Sequence, residues 1–290
     1  METTDIIKKV KKIEIKTRGL SQHIFSGQYH SAFKGTGISF AEVREYQFGD
    51  DIRSIDWNVT ARFNHPYVKI FEEERELTVM LIVDVSGSTY FGTKTALKKE
   101  LIAEIAAVLS FSAIHNNDKV GVIFFSNKIE KYIPPKKGTS HILRIIRELI
   151  DFKSTSRGTD ISIALKFLIN VIKKRCTAFV ISDFLAKNFE NPLKISARKH
   201  DIISLQIIDA REIELPNIGL MYVKDAETNQ HIWVDTSSNK IREIYQKQWQ
   251  QKNQELKEIF TKCGVDNIEI FTGSDYIKPL MKLFKMRERK

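Results

Sequence analysis

Asp84, Ser86 and Ser88 stand at alternate positions in LIVDVSGSTY, residues 81–90, where an apolar run stops at a carboxylate. Alternate residues of a strand share one side. Once the strand becomes a loop, such side chains can curl towards one centre, and Gly87 gives the turn freedom. A carboxylate and two hydroxyls are hard oxygen donors, suited to Mg2+ or Mn2+ rather than to a soft metal. Three oxygens do not complete a site, but two other segments offer more. Asp183 ends the apolar run CTAFVISD, and Thr159 follows Gly158 in SRGTDISIAL, at or just before the start of a helix. Singly, each residue has a plainer reading: Asp and Ser in a turn, Thr as a helix cap, Asp183 as a loop carboxylate. Jointly, on segments of these types, they favour a metal site.

The elements that must position these residues follow from the hydrophobic pattern. LTVMLIVD, KVGVIFFS, CTAFVISD, DIISLQIID and NIEIFT read as strands, and KIEKYIPP as a hairpin partner of the second. Between them lie helical patterns. The first, from Thr93 to Asp118, has Leu97, Leu101, Ile105, Val108 and Ser112 on one face; the others include SHILRIIRELIDF, TDISIALKFLINVIKKR, PLKISARKH, a long helix ending at Gly264 and a last one over DYIKPLMKLFKM. IGLMYVKDAETNQHIWVDT reads as a further hairpin. Strands alternating with helices predict an α/β fold: an open, mostly parallel sheet with helices on both faces. Ligands in such sheets bind at the carboxyl ends of the strands, so Asp84, Thr159 and Asp183 should meet at one edge.

Residues 78–290 are expected to form this domain, with the second hairpin and the following helix, strand and helix as additions. Residues 1–77 are expected to be an extension packed on it. A short amphipathic helix is expected over residues 4–13, with Ile6, Val10 and Ile13 on one side. Short strands and turns are expected over 28–77, with FGDD and HPY as turn signals. Asp50, Asp51, Arg53, Asp56 and Arg62 read as a structural ion-pair network with Trp57 as a packing anchor. Glu72, Glu74 and Glu76 read as the outer face of a strand entering the sheet.

The chain has 290 residues, 42% of them hydrophobic and 28% charged, as a soluble globular protein requires. Two cysteines far apart, Cys176 and Cys263, indicate neither a zinc site nor a disulfide framework. No signal peptide and no apolar stretch of membrane-spanning length is evident, so a cytoplasmic location is expected. The net charge is +10, and the excess lies beyond residue 76. Its lysines are spread over helices with no aromatic-interleaved stripe, which favours a solvated surface over a nucleic-acid interface.

The ordered set Asp84, Ser86, Ser88, Thr159 and Asp183 resembles the metal-ion-dependent adhesion site of von Willebrand factor A domains. There a DxSxS loop, a later Thr and a later Asp hold one divalent ion. Two departures are visible: the threonine follows RG where many relatives have GG, and the last motif is SDF where TDG is common. Upstream, FAEVREYQFGDDIRSIDWNVTAR followed by VKIFEEERE resembles the bacterial family numbered fifty-eight among domains of unknown function. The resemblance runs roughly over residues 28 to 209. It implies a von Willebrand A-like domain after the signature and an association with MoxR-type AAA+ ATPases. Many members carry N-terminal membrane helices, which are not seen in this sequence.

These features point to a protein-binding module rather than an enzyme, with Mg2+ or Mn2+ as cofactor. The expected partner is a MoxR-type ATPase or its client, contacted through a carboxylate. The alternatives are a metal-dependent phosphohydrolase of a Rossmann-like fold and nucleic-acid binding through the basic surface. An Asp at the end of the first strand is similar to that of haloacid-dehalogenase phosphatases, a resemblance that would imply a second Asp two residues later as general acid, and that position is Ser86.

Overall fold

The computed structural model describes residues 11, 13, 17, 39–72, 77–90, 97–154, 156, 158–224 and 231–288. The chain forms two compact units, a small one over Lys34–Leu77 and a large one that holds Thr78–Lys290.

In the small unit, β1 (Ser39–Glu45) pairs antiparallel with β2 (Tyr67–Glu72). Between them stand a 3-10 turn over Ile52–Ser54 and a helix, α1 (Trp57–Phe63), that the turn-rich sequence did not announce. Asp56 starts it by accepting from the Asn58 and Val59 N–H groups at 3.0 and 3.3 Å. Asp51 caps the 3-10 turn in the same way, and Asp50 forms a fork with Arg44 at 2.7 and 2.8 Å. The carboxylates of the signature are therefore caps and an ion-pair partner. Trp57 is 67% exposed and anchors no packing. Glu72 ends β2 in this two-stranded sheet, not in the large one; Glu74 and Glu76 lie outside the described residues, as do Ile6 and Val10.

The large unit begins with β3 (Thr78–Asp84), a 3-10 turn over Gly87–Tyr90 and α2 (Lys98–His115). It continues through β4 (Lys119–Phe125), β5 (Ile129–Lys136), α3 (Thr139–Asp151), α4 (Ile161–Val171), β6 (Thr177–Ser182) and α5 (Glu190–Lys199). Then come β7 (Asp201–Ile208), the short α6 (Ala210–Ile213), the hairpin β8 (Leu220–Lys224) and β9 (His231–Asp235), and α7 (Asn239–Cys263). The last elements are β10 (Asp266–Phe271) and α8 (Ile277–Glu288). The sheet order is β10-β7-β6-β3-β4-β5, parallel except for β5. The connectivity reverses direction between β3 and β6, which is where a doubly wound sheet opens a crevice at its carboxyl edge.

β3 is buried at every residue after the first, as a strand covered on both faces must be. On one face Met80, Ile82, Ala178 and Val180 pack with Leu165 and Leu168 of α4, Leu193 of α5, and Leu256 and Phe260 of α7. Leu81 and Val83 point the other way, towards the layer in which α2 packs on β3, β4 and α3. α2 is buried nearly all round, so it carries no single apolar stripe. It starts at Lys98, and Leu97, expected on its inner face, is the exposed residue before it. α3 has the usual stripe: Ile142, Ile145, Ile146 and Leu149 are buried. α7 is mostly polar and ends as expected at Gly264, whose φ of 66° closes the helix. Among the described residues no helix is long and apolar enough to cross a membrane.

His200, between α5 and β7, is fully buried, with Nδ1 3.3 Å from the Cys176 thiol and Nε2 without a partner. Burial, then the charges of Lys199 and Arg175, push its pKa down from 6.5 to about 4. Burial likewise pushes the Cys176 thiol up to about 12, so it is no nucleophile. A depressed pKa means that the neutral ring's stability is present above 6.5 and is lost as pH falls towards 4. Urea unfolding measured across that window should show the loss, and His200→Gln should flatten it; an unchanged acid slope in the variant would contradict the assignment.

Candidate metal centre at the switch point

The strand ends that flank the reversal carry both carboxylates. Asp84 closes β3 and is 1% exposed; Asp183 follows β6 and is 7% exposed. β3 and β6 are neighbours in parallel, so the two acids stand at one sheet edge, close enough for the charge of Asp183 to act on Asp84. Asp84 Oδ1 accepts the Ser86 N–H at 2.9 Å, and Oδ2 accepts the Ser182 hydroxyl at 2.6 Å. Ser182 in turn accepts the Phe184 N–H at 3.1 Å, so one hydroxyl ties both strand ends together. The turn after β3 brings Ser86 Oγ within 3.1 Å of Ser88 Oγ. Thr89 braces it by donating to the Ser86 carbonyl at 2.8 Å.

Thr159 lies just before α4, whose N-cap is Asp160: its Oδ1 accepts the Ser162 and Ile163 N–H groups. The Asp160 N–H donates to the Ser126 carbonyl at 2.8 Å, at the end of β4. β4 is the neighbour of β3, and the Val85 N–H donates to the Phe125 carbonyl at 2.9 Å. Ser162 Oγ donates to the Asn188 carbonyl, fastening the start of α4 to the loop after Asp183. All three segments thus run to the same sheet edge, with the positive end of α4 beside them.

The SDF departure has a structural counterpart. Phe184 has a φ of 57°, a left-handed conformation that glycine adopts freely and a phenylalanine does not. Its ring is buried edge-on against Phe260, centroids 5.1 Å apart, and near Phe189 at 6.0 Å. Core packing offsets the backbone strain. A cleft of about 440 Å³ opens beside Asp183, lined in part by Phe184, Leu185, Asn188, Trp249 and Leu256.

Three residues of this centre were not singled out in the sequence: Ser182, Lys98 and Glu212. Lys98 Nζ lies 3.4 Å from Asp183 Oδ2 and 2.5 Å from Glu212 Oε1. Burial alone would lower the Lys98 pKa, but Asp183 and Glu212 outweigh it and raise it, so it stays an ammonium. Glu212 is raised by burial, which Lys98 only partly offsets. Asp84 is pushed up to about 7, first by burial and then by the charge of Asp183, against the hydrogen bonds from Ser182 and Ser86.

The donor set fits a hard divalent cation. Among the described residues no three His, Cys, Asp or Glu side chains gather as ligands, so a cation here would draw on the hydroxyls as well as on Asp84 and Asp183. The buried charge also calls for one, since Asp84 and Asp183 repel each other and, among the described residues, Lys98 pairs with Asp183 and Glu212 and not with Asp84.

Comparison with known proteins agrees with the fold. BatB from Bacteroides thetaiotaomicron superposes with a TM-score of 0.51 at 16% identity, over 74% of this chain and all of that one. An aerotolerance-related membrane protein from Bacteroides fragilis gives 0.51 at 17% identity, over 73% and 98%. In sequence, the uncharacterized protein Mb1516 of Mycobacterium bovis is 26% identical over 285 residues, 97% of this chain and 89% of its own length. The fold is an open, mostly parallel α/β sheet, as expected. The profile of the family described as "Protein of unknown function DUF58" matches residues 42–255, beyond Asp209 and into α7. With most of its length inside that match, the chain belongs to the DUF58 family.

Proposed function

We propose that the chain is a metal-dependent protein-binding module and not an enzyme. Asp84, Ser86, Ser88, Thr159 and Asp183 would hold one Mg2+ or Mn2+. The observation that carries this reading is the pair of buried carboxylates at the strand reversal, with the Ser86–Ser88 hydroxyl pair at 3.1 Å beside Asp84. Bound there, the ion supplies an electrophilic position for a partner's carboxylate. The chain's own residues set that position. The turn after β3 aims the hydroxyls, Ser182 fixes the Asp84 carboxylate, and the cleft beside Asp183 leaves room for a partner's side chain. Ser86 cannot serve as a general acid, which weighs against the phosphohydrolase alternative.

The family resemblance supports a MoxR-type AAA+ ATPase, or a client of one, as the partner in a cytoplasmic assembly role. The test is purification of the tagged full chain from its native cell with Mg2+, in parallel with EDTA. An AAA+ ATPase or its client should be retained only with Mg2+. The same proteins retained equally in EDTA would remove the metal from the interaction.

A further inference from the structure

Lys98 breaks two local rules. It opens α2, at the helix end that disfavours a cation, and it is 1% exposed, where a lysine is costly without partners. Such violations concentrate at functional sites. Its partners are unequal. Glu212 holds it at 2.5 Å and is itself fixed, because Glu212 Oε2 accepts the Asp209 N–H at 2.9 Å. Asp209 in turn caps α6 and accepts the Thr272 hydroxyl at 2.6 Å. The contact with Asp183 Oδ2 is longer, 3.4 Å. The other oxygen, Oδ1, accepts the Leu185 N–H at 3.3 Å.

From this geometry we infer that Lys98 is a resident counter-cation of the Asp84–Asp183 centre: it competes with a divalent ion for Asp183 Oδ2, and Glu212 limits that competition by holding the ammonium back. The inference rests on the metal reading above and adds what sets the site's affinity. A divalent ion beside Asp183 meets like charge from Lys98, and both draw on one carboxylate. Without the ammonium, Asp183 has its whole charge for the ion. Without the Glu212 charge, Lys98 has Asp183 as its one acidic partner among these contacts and holds it more strongly. The ion's affinity is thereby coupled to the turn after β7. A merely structural salt bridge predicts the opposite sign for Lys98, since losing it would loosen Asp183 and weaken the ion.

The test is Mn2+ binding to the full chain, read from the free-ion paramagnetic resonance signal, with circular dichroism as the check on folding. Lys98→Gln should bind Mn2+ about 10- to 100-fold more tightly than wild type, the scale on which groups around a metal's ligands act. Glu212→Gln should bind it about 10-fold more weakly. Measurable wild-type binding that Lys98→Gln leaves equal or weaker overturns the inference. Should Lys98→Gln fail to fold, Glu212→Gln decides: weaker binding supports the competition, and equal or tighter binding overturns it. Absence of Mn2+ binding in wild type and both variants is a different failure, which removes the metal reading itself.

Discussion

Asp84→Asn is expected to show no rise in melting temperature with Mg2+. The wild-type chain should rise by roughly 5 to 10 °C at about a hundredfold excess over Kd, because an ion that binds only the folded state stabilises it by mass action. The amide keeps the shape of the side chain and an acceptor for the Ser86 N–H, and Ser182 can still bond to it. What it loses is the charge. That charge sits at 1% exposure against Asp183, a position that favours the neutral form unless a cation arrives. The variant in chelator should therefore melt no lower than wild type, since a buried repulsion has gone. The two effects together separate a ligand from a structural carboxylate. A scaffold residue would lower the melting point in chelator and leave the response to Mg2+ intact. Equal Mg2+ stabilisation of wild type and Asp84→Asn, followed by scanning calorimetry, would sink the assignment of Asp84.

The sheet and its helices were legible because parallel strands covered on both faces are unbroken apolar runs, as in LTVMLIVD and CTAFVISD. Strand order fixes where their ends meet, so Asp84 and Asp183 could be brought together from pattern alone. α1 was not legible: WNVTARF has no apolar stripe, and its start depends on the Asp56 side chain closing a turn. Leu97 was misplaced because α2 starts one residue later, at Lys98, and the apolar pattern does not mark a helix's first residue; the rest of the expected face, Leu101, Ile105, Val108 and Ser112, is buried. The charge around the centre was also hidden. Lys98 and Glu212 are 114 residues apart, and no local spacing joins them. A signal did exist in each. Glu212 stands three residues after Asp209, the spacing of a capping box, and Lys98 puts a cation in the first turn of a helix, where the macrodipole disfavours it. Ser182 was passed over as half of a departure from TDG, yet its hydroxyl is what binds the two strand ends.

Association with a partner should be lost on chelation and weakened by Ser86→Ala and Thr159→Ala, each by about 10-fold or more, the scale of a lost charge-assisted contact. These hydroxyls should matter for binding more than for folding. Ser86 Oγ has Ser88 Oγ at 3.1 Å in a turn already braced by Thr89, and α4 is capped by Asp160, not Thr159. The competing view places recognition in the basic C-terminal segment. Removing that segment cannot test it, because Leu280, Leu283 and Phe284 of α8 are fully buried and Arg287 joins Asp201 and Asp266. Truncation would cost core packing of several kcal/mol, about 2–5 for each large side chain lost. Lys278, Lys282 and Lys285 are exposed on the same helix and carry the charge without the packing. Reversing all three to Glu should leave the Mg2+-dependent complex in place and change only its salt dependence. A complex that survives EDTA, Ser86→Ala and Thr159→Ala, but is lost in the triple Lys→Glu variant, would transfer recognition from the strand ends to the basic face of α8.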